Sequence, residues 1–350
     1  ANDGPGNLVT SFTGAVILSN NLTLVTDGVN DNQVVLTGSV NADDAAVNNR
    51  TLTIQAGTST VTVPAQIGDR VAAGGVGSGA LADLDITASR INLRGDVIRV
   101  NDGAGGAEVT FNGNVFIDRQ LLIDTNGTGD NHVLFTGTVN AENNTVNRST
   151  LTVDSGDADI RLQQNVGTAT NGALADLDLS ARTIRMDGDT MVISDGASTS
   201  VATMNGAFVF SQNLLIRTTG VANNDLRFTG TVNVVNSATQ DSSLTILSGT
   251  ATVTLEQDVG QAASGALAGL DITAARIVAN SSTIVVNDGP GGATVNFRGS
   301  VIVGNQLSVV TDGVNDNSVL FTSTIDADDA ANRDRSLTIN SGTATVTFGG

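Results

Sequence analysis

The sequence predicts an all-β fold, a parallel β-solenoid in which short strands coil and stack, on three observations. A unit of 93 to 99 residues repeats along the chain. Inside each copy, runs of three to five residues with alternating apolar positions are separated by Gly, Asn and Asp turns. The composition also starves a helix: of 350 residues 40 are Gly, all 16 basic residues are Arg, and the only Glu are Glu108, Glu142 and Glu256.

The repeat fixes the organisation. Gly14, Gly113, Gly206 and Gly299 step by 99, 93 and 93, and so do Leu52, Leu151, Leu244 and Leu337. The turns at Asn2-Asp3-Gly4, Asn101-Asp102-Gly103, Ser194-Asp195-Gly196 and Asn287-Asp288-Gly289 keep the same register. The copies are 1–100, 101–193, 194–286 and an incomplete 287–350, about 3.7 copies in one continuous solenoid over 1–350. The six extra residues of the first copy fall between Val63 and Gly79 and read as a loop insertion.

The strands follow an inner rhythm. In the second copy Val109-Thr110-Phe111-Asn112-Gly113 returns as Val133-Leu134-Phe135-Thr136-Gly137, with weaker echoes at Ile160 and Ile184. A second set interleaves at Leu122, Leu151, Leu177 and Val192. The spacing predicts about four coils per repeat, with about three longer coils as the alternative. Val, Ile, Leu and Phe should stack inward, and Thr, Asn, Asp, Ser and Arg should face out. A string of immunoglobulin-like sandwiches is the rival, but such domains need a large buried aromatic, and Trp and Tyr are absent.

Composition excludes several functions. A net charge of -19 repels nucleic acid. No apolar run is long enough for a membrane-spanning helix. Without Cys there is no disulfide scaffold, thiolate metal site or cysteine catalysis.

The segments Gly172-Ala173-Leu174-Ala175-Asp176-Leu177-Asp178-Leu179, Leu337-Thr338-Ile339-Asn340-Ser341-Gly342 and Thr345-Val346-Thr347-Phe348-Gly349-Gly350 resemble repeats of giant bacterial surface proteins, the filamentous-haemagglutinin-like adhesins. The resemblance is one of repeat style and covers the whole chain. It implies a right-handed β-helix, export to the cell surface and a structural or adhesive role.

Candidate sites are few. Asp27-Gly28-Val29-Asn30-Asp31-Asn32 recurs as Asp312-Gly313-Val314-Asn315-Asp316-Asn317, and Asp130 holds the equivalent place in the second copy. Clustered carboxylate and amide oxygens suit Ca²⁺, which makes Asp27, Asp31, Asp130, Asp312 and Asp316 the metal candidates, although no cofactor is required. The competing reading is turn formation, since Asx side chains bond local N–H groups. His132, the only His, replaces Gln33 of the first copy and reads as an exposed variant. Asp83 and Asp85 recur as Asp176 and Asp178, whereas an active site should occur once, on a broken repeat. Arg90, Arg182 and Arg276 follow Asp85, Asp178 and Asp271 by four or five residues and suggest a ladder of exposed pairs.

The function expected is an extracellular structural rod or filament of a bacterial surface, without enzymatic activity. Self-association, head to tail or lateral, is the expected partnership, prompted by the incomplete last copy. The alternatives are an adhesin segment that binds carbohydrate or a host surface, and a polysaccharide-cleaving β-helix enzyme.

Overall fold

A computed structural model of the chain describes residues 8–28, 31–43, 48–68, 79–101, 103, 106–127, 129–145, 148–194, 200–220, 223–239, 241–261, 264–287, 289, 293–313, 316–329 and 334–350. The repeat-marking residues Asp3, Asp102, Asp195 and Asp288, most of the loop insertion, and Asn30 and Asn315 lie outside these. The described residues are all-β, and their strands stack in parallel as a β-solenoid of about 12 turns. None forms a helix long and apolar enough to cross a membrane. The chain divides into two compact units, one of Ala1–Leu174 and Leu179–Arg182, the other of Ala175–Asp178 and Thr183–Gly350.

The first unit has three columns of rungs. One stacks Val9–Phe12, Gln33–Leu36, Thr60–Val63, 90–93, 114–117 and Val139–Ala141. The next stacks Val16–Leu18, Val40–Ala42, the single bridging residue Ile67, Val97–Arg99, Gln120–Asp124 and Thr150–Asp154. The third stacks Leu22–Val25, Thr51–Gln55, 83–87, 108–112, His132–Phe135 and Asp159–Leu162. Every pairing is in parallel register, so each turn passes its backbone hydrogen bonds to the next.

The second unit repeats the plan. Its columns run through residues 201–204, 208–210 and Leu214–Arg217, the last preceded by Thr190–Val192, and end at Ile325–Ala327, Leu337–Asn340 and Val346–Phe348.

Counting segments explains the repeat length. The first copy supplies eleven: the strands from Val9–Phe12 to Thr60–Val63, then Ile67, the two halves of Asp83–Leu93, and Val97–Arg99. Eleven segments over three columns make three and two-thirds turns, close to the four expected. A copy therefore ends one segment short of a whole number of turns. The 9–12 segment heads the first column, but its counterpart at 108–112 stands in the third, and the 16–18 counterpart at 115–117 stands in the first. The second unit shows the same step: 201–204 stands in one column and its counterpart, 294–297, lies in that of Leu214–Arg217. What the chain repeats is a surface pattern that moves one face per copy.

Inward and outward positions alternate, as a period of two requires. Leu52, Ile54, Leu84, Ile86, Val109 and Phe111 are buried in one column. Each such aliphatic or aromatic side chain contributes about 1.5–3 kcal/mol by leaving water. Phe111 stacks on Phe135 with centroids 5.1 Å apart, and Phe297 on Phe321 at 4.9 Å. Narrow columns of this kind need no Trp or Tyr.

The corners need special residues. Gly113 bends the Glu108–Ile117 strand at φ 144°, and a Cβ there would fall on the carbonyl oxygen of Ala88 in the rung before. Only Gly permits both that φ and that approach.

Candidate functional site

The five metal candidates lie at corners, and each copy builds its corner alike. A buried Thr opens it: the hydroxyls of Thr26, Thr125, Thr218 and Thr311 donate to the backbone oxygens of Asn32, Asn131, Asn224 and Asn317, at 2.6 to 2.7 Å. The four Asn side chains are buried and reach back to earlier rungs. The Asn131 amide donates to Val100 O at 2.9 Å and to Ala82 O at 3.3 Å, and its Oδ1 accepts from Ala107 N–H. Asn317 does the same with Val286, Ala268 and Ala293. One side chain thus satisfies backbone groups that a sharp corner would leave without partners.

The residue before each Asn is a clamp between rungs. Asp31 Oδ1 accepts from Gly28 N–H at 2.9 Å within its own loop. Its Oδ2 accepts from both the N–H and the hydroxyl of Thr58, at 2.6 Å, in the next rung. Asp316 makes the same bonds to Gly313 and Thr343, and Asp130 to Gly127 N–H and Asp157 N–H. In the third copy Asn223 takes the place: its Oδ1 accepts from Gly220 N–H and its Nδ2 donates to the Thr250 hydroxyl at 2.7 Å. These bonds hold the Asp31, Asp130 and Asp316 carboxyls below the ordinary Asp value, through the Thr58 hydroxyl, the Gly127 N–H and the Thr343 hydroxyl first.

Asp27 and Asp312 sit one step outside. Asp312 Oδ2 accepts from Asn340 Nδ2 at 3.2 Å. The second copy carries the same pair reversed, Asn126 Nδ2 donating to Asp154 Oδ2 at 3.2 Å. Amide and carboxylate have changed places, and the hydrogen bond survives. Asp27 and Asp31 share one corner, Asp312 and Asp316 another, and Asp130 stands at its own. Among the described residues no three His, Asp or Glu side chains are grouped to hold a metal ion. Asp31, Asp130, Asp312 and Asp316 each accept hydrogen bonds that fasten a turn or a rung.

His132 also serves the backbone. Its Nδ1 accepts from Asp159 N–H at 3.0 Å. Asp225 Oδ1 fills that role in the third copy, accepting from Thr252 N–H at 2.7 Å. Asp159 holds Arg182 through two hydrogen bonds, at 2.7 and 3.1 Å.

The carboxyls at Asp83 and Asp176 lie half-buried on outer faces, each two residues from a second Asp. Burial, then the neighbouring Asp85, raises Asp83; burial, then Asp178, pushes Asp176 up to about 6. Burial also raises Asp178, against the bonds it accepts from Thr203.

The expected Arg–Asp ladder does not form. Asp85 and Arg90 belong to one strand, Asp83–Leu93, but its halves pair in different columns, so a corner separates the two side chains. Arg90 instead stacks over the Phe116 ring at 3.5 Å and approaches Glu142 at 3.8 Å. Asp271 meets Arg298 of the following rung at 3.5 Å rather than Arg276.

Sequence reasoning passed over one surface feature, an open groove of about 670 Å³ beside Gln120–Asp124. Its rim carries Arg119, where the other copies have Asn20, Gln212 and Asn305. Alignment of the copies would have marked that cation as the exception. Comparison with protein-family models, curated proteins and solved structures found no match to the chain.

Proposed function

We propose that the chain is a structural segment of an extracellular rod or filament on a bacterial surface, with a mechanical role and no catalytic step. The observation that carries this reading is what the copies keep in common. Clamp, buried Thr and buried Asn recur at each corner, the clamp in Asp or Asn form; the Thr closes the corner on itself, and the clamp and the buried Asn tie it to neighbouring rungs. The outward acids also recur from copy to copy, as fasteners do and a single active site does not. Parallel rungs then add tension-bearing hydrogen bonds without disulfides. Lateral or end-on self-association and the finer likeness to filamentous-haemagglutinin-like adhesins belong to the same proposal. Electron microscopy of native material tests it. Filaments on the cell surface with a layer line near about 4.8 Å, the rung separation, are the expected result. A chain found soluble inside the cell would overturn it.

A further inference from the structure

The groove of the first unit goes beyond a mechanical role. It lies against two successive rungs of one column, Gln120–Asp124 and Thr150–Asp154, with Asp96, just before the rung Val97–Arg99, at its side. Gln120 lies over Thr150 and Leu122 over Thr152. Asp96 and Arg119 form the rim, Arg119 Nη1 standing 3.6 Å from Asp96 Oδ1. Both side chains are more than half exposed, 56% for Arg119 and 58% for Asp96, so the pair adds little to stability and is free to exchange partners.

We propose that this groove binds a neutral, hydroxyl-rich saccharide. The lining supplies what such a ligand needs: a donor in Arg119, an amide that both donates and accepts in Gln120, an acceptor in Asp96, and hydroxyls of either sense in Thr150 and Thr152. The aliphatic face of Leu122 meets the C–H face of a sugar ring. Rungs about 4.8 Å apart repeat this supply along the groove, as an oligosaccharide repeats its rings. An anionic sugar fits less well, because Asp96 shares the Arg119 charge and the whole chain carries -19. A peptide cannot add as a strand, because Gln120–Asp124 is already paired on both edges.

The chain contains its own control. The third copy keeps Asp189, Leu215 and Thr245 at the corresponding places, with the shorter homologues Asn213 and Ser243 for Gln120 and Thr150, and Gln212 stands where the second copy has Arg119. Arg119→Gln is therefore a substitution the fold already accommodates, and Gln212→Arg should build a second site.

The experiment titrates the full chain, by calorimetry, with short neutral oligosaccharides of glucose, galactose and mannose and with matched oligouronides. A neutral oligosaccharide should bind one per chain, and R119Q should weaken it by about tenfold or more, the loss of one charge-assisted hydrogen bond. Q212R should raise the stoichiometry to two. Circular dichroism of both variants should match the wild type. No binding by any neutral sugar, tighter binding of uronides, unchanged affinity in R119Q, or an unchanged stoichiometry in Q212R overturns the proposal. The mechanical reading stands or falls separately, on the microscopy.

Discussion

At the scale of single residues, carboxyls decide how stability responds to pH, and they act in opposite directions. Asp176 ionises near 3.8 when unfolded and near about 6 when folded. Between these values the folded chain keeps a proton that the unfolded chain has lost, so this group's contribution falls as pH rises through the interval. Asp31, Asp130 and Asp316 are held below 3.8, so their contribution is present above that value and fades as pH drops through the folded values. Asp176→Asn should raise the melting temperature near pH 7, with the gain gone below about pH 4. Equal melting temperatures near pH 7 would show that burial does not penalise this charge. The reversed pair gives a second test. Asn126→Asp sets two carboxylates against each other and should destabilise by up to about 1 kcal/mol. Adding Asp154→Asn should restore stability, because the double variant reproduces the Asp312–Asn340 pair; an additive loss in denaturant melts would deny the coupling.

At the scale of elements, the alternation of apolar residues was legible, but the corners were legible only in part. Leu84, Ile86 and Ala88 point inward two residues apart, and then Ile91 and Leu93 resume after a gap of three. That slip is the corner. A continuous strand would set Asp85 and Arg90 about 17 Å apart on opposite faces, and the bend sends them to different columns, so nearness along the chain does not pair them. The Asp and Asn loops were recognised by composition, yet their chemistry depended on what lay one rung away, which spacing along the chain does not reveal. Gly113 gives the sharpest test of a corner. Gly113→Ala must move the Ala88 carbonyl and should cost about 3 kcal/mol or more, or abolish folding. Gly14 has φ 102°, but a methyl group there would meet nothing within 4 Å, so Gly14→Ala should cost only the backbone strain, about 1–3 kcal/mol. Equal losses in the two variants, read by chemical denaturation, would show that the close approach is unimportant.

At the scale of the whole molecule, 35 acidic residues against 16 Arg leave repulsion that the ion pairs cannot cancel. Raising sodium chloride from about 0.01 M to about 1 M shortens screening from about 30 Å to about 3 Å and should raise the melting temperature. A fall would mean that the exposed Arg pairs outweigh the repulsion. The repeat itself was plain from the sequence, and so was its near-fit to four turns. The missing third of a turn was not, because it depends on how many segments share a rung. That remainder has a consequence for how such a chain could grow. Duplicating one copy within an unbroken array would lengthen it and also swing every later loop and groove through a third of a revolution. Deleting a copy would swing them back. Only gains or losses in threes would leave the bearings of the downstream surface as they were, so copy number would set direction as well as length.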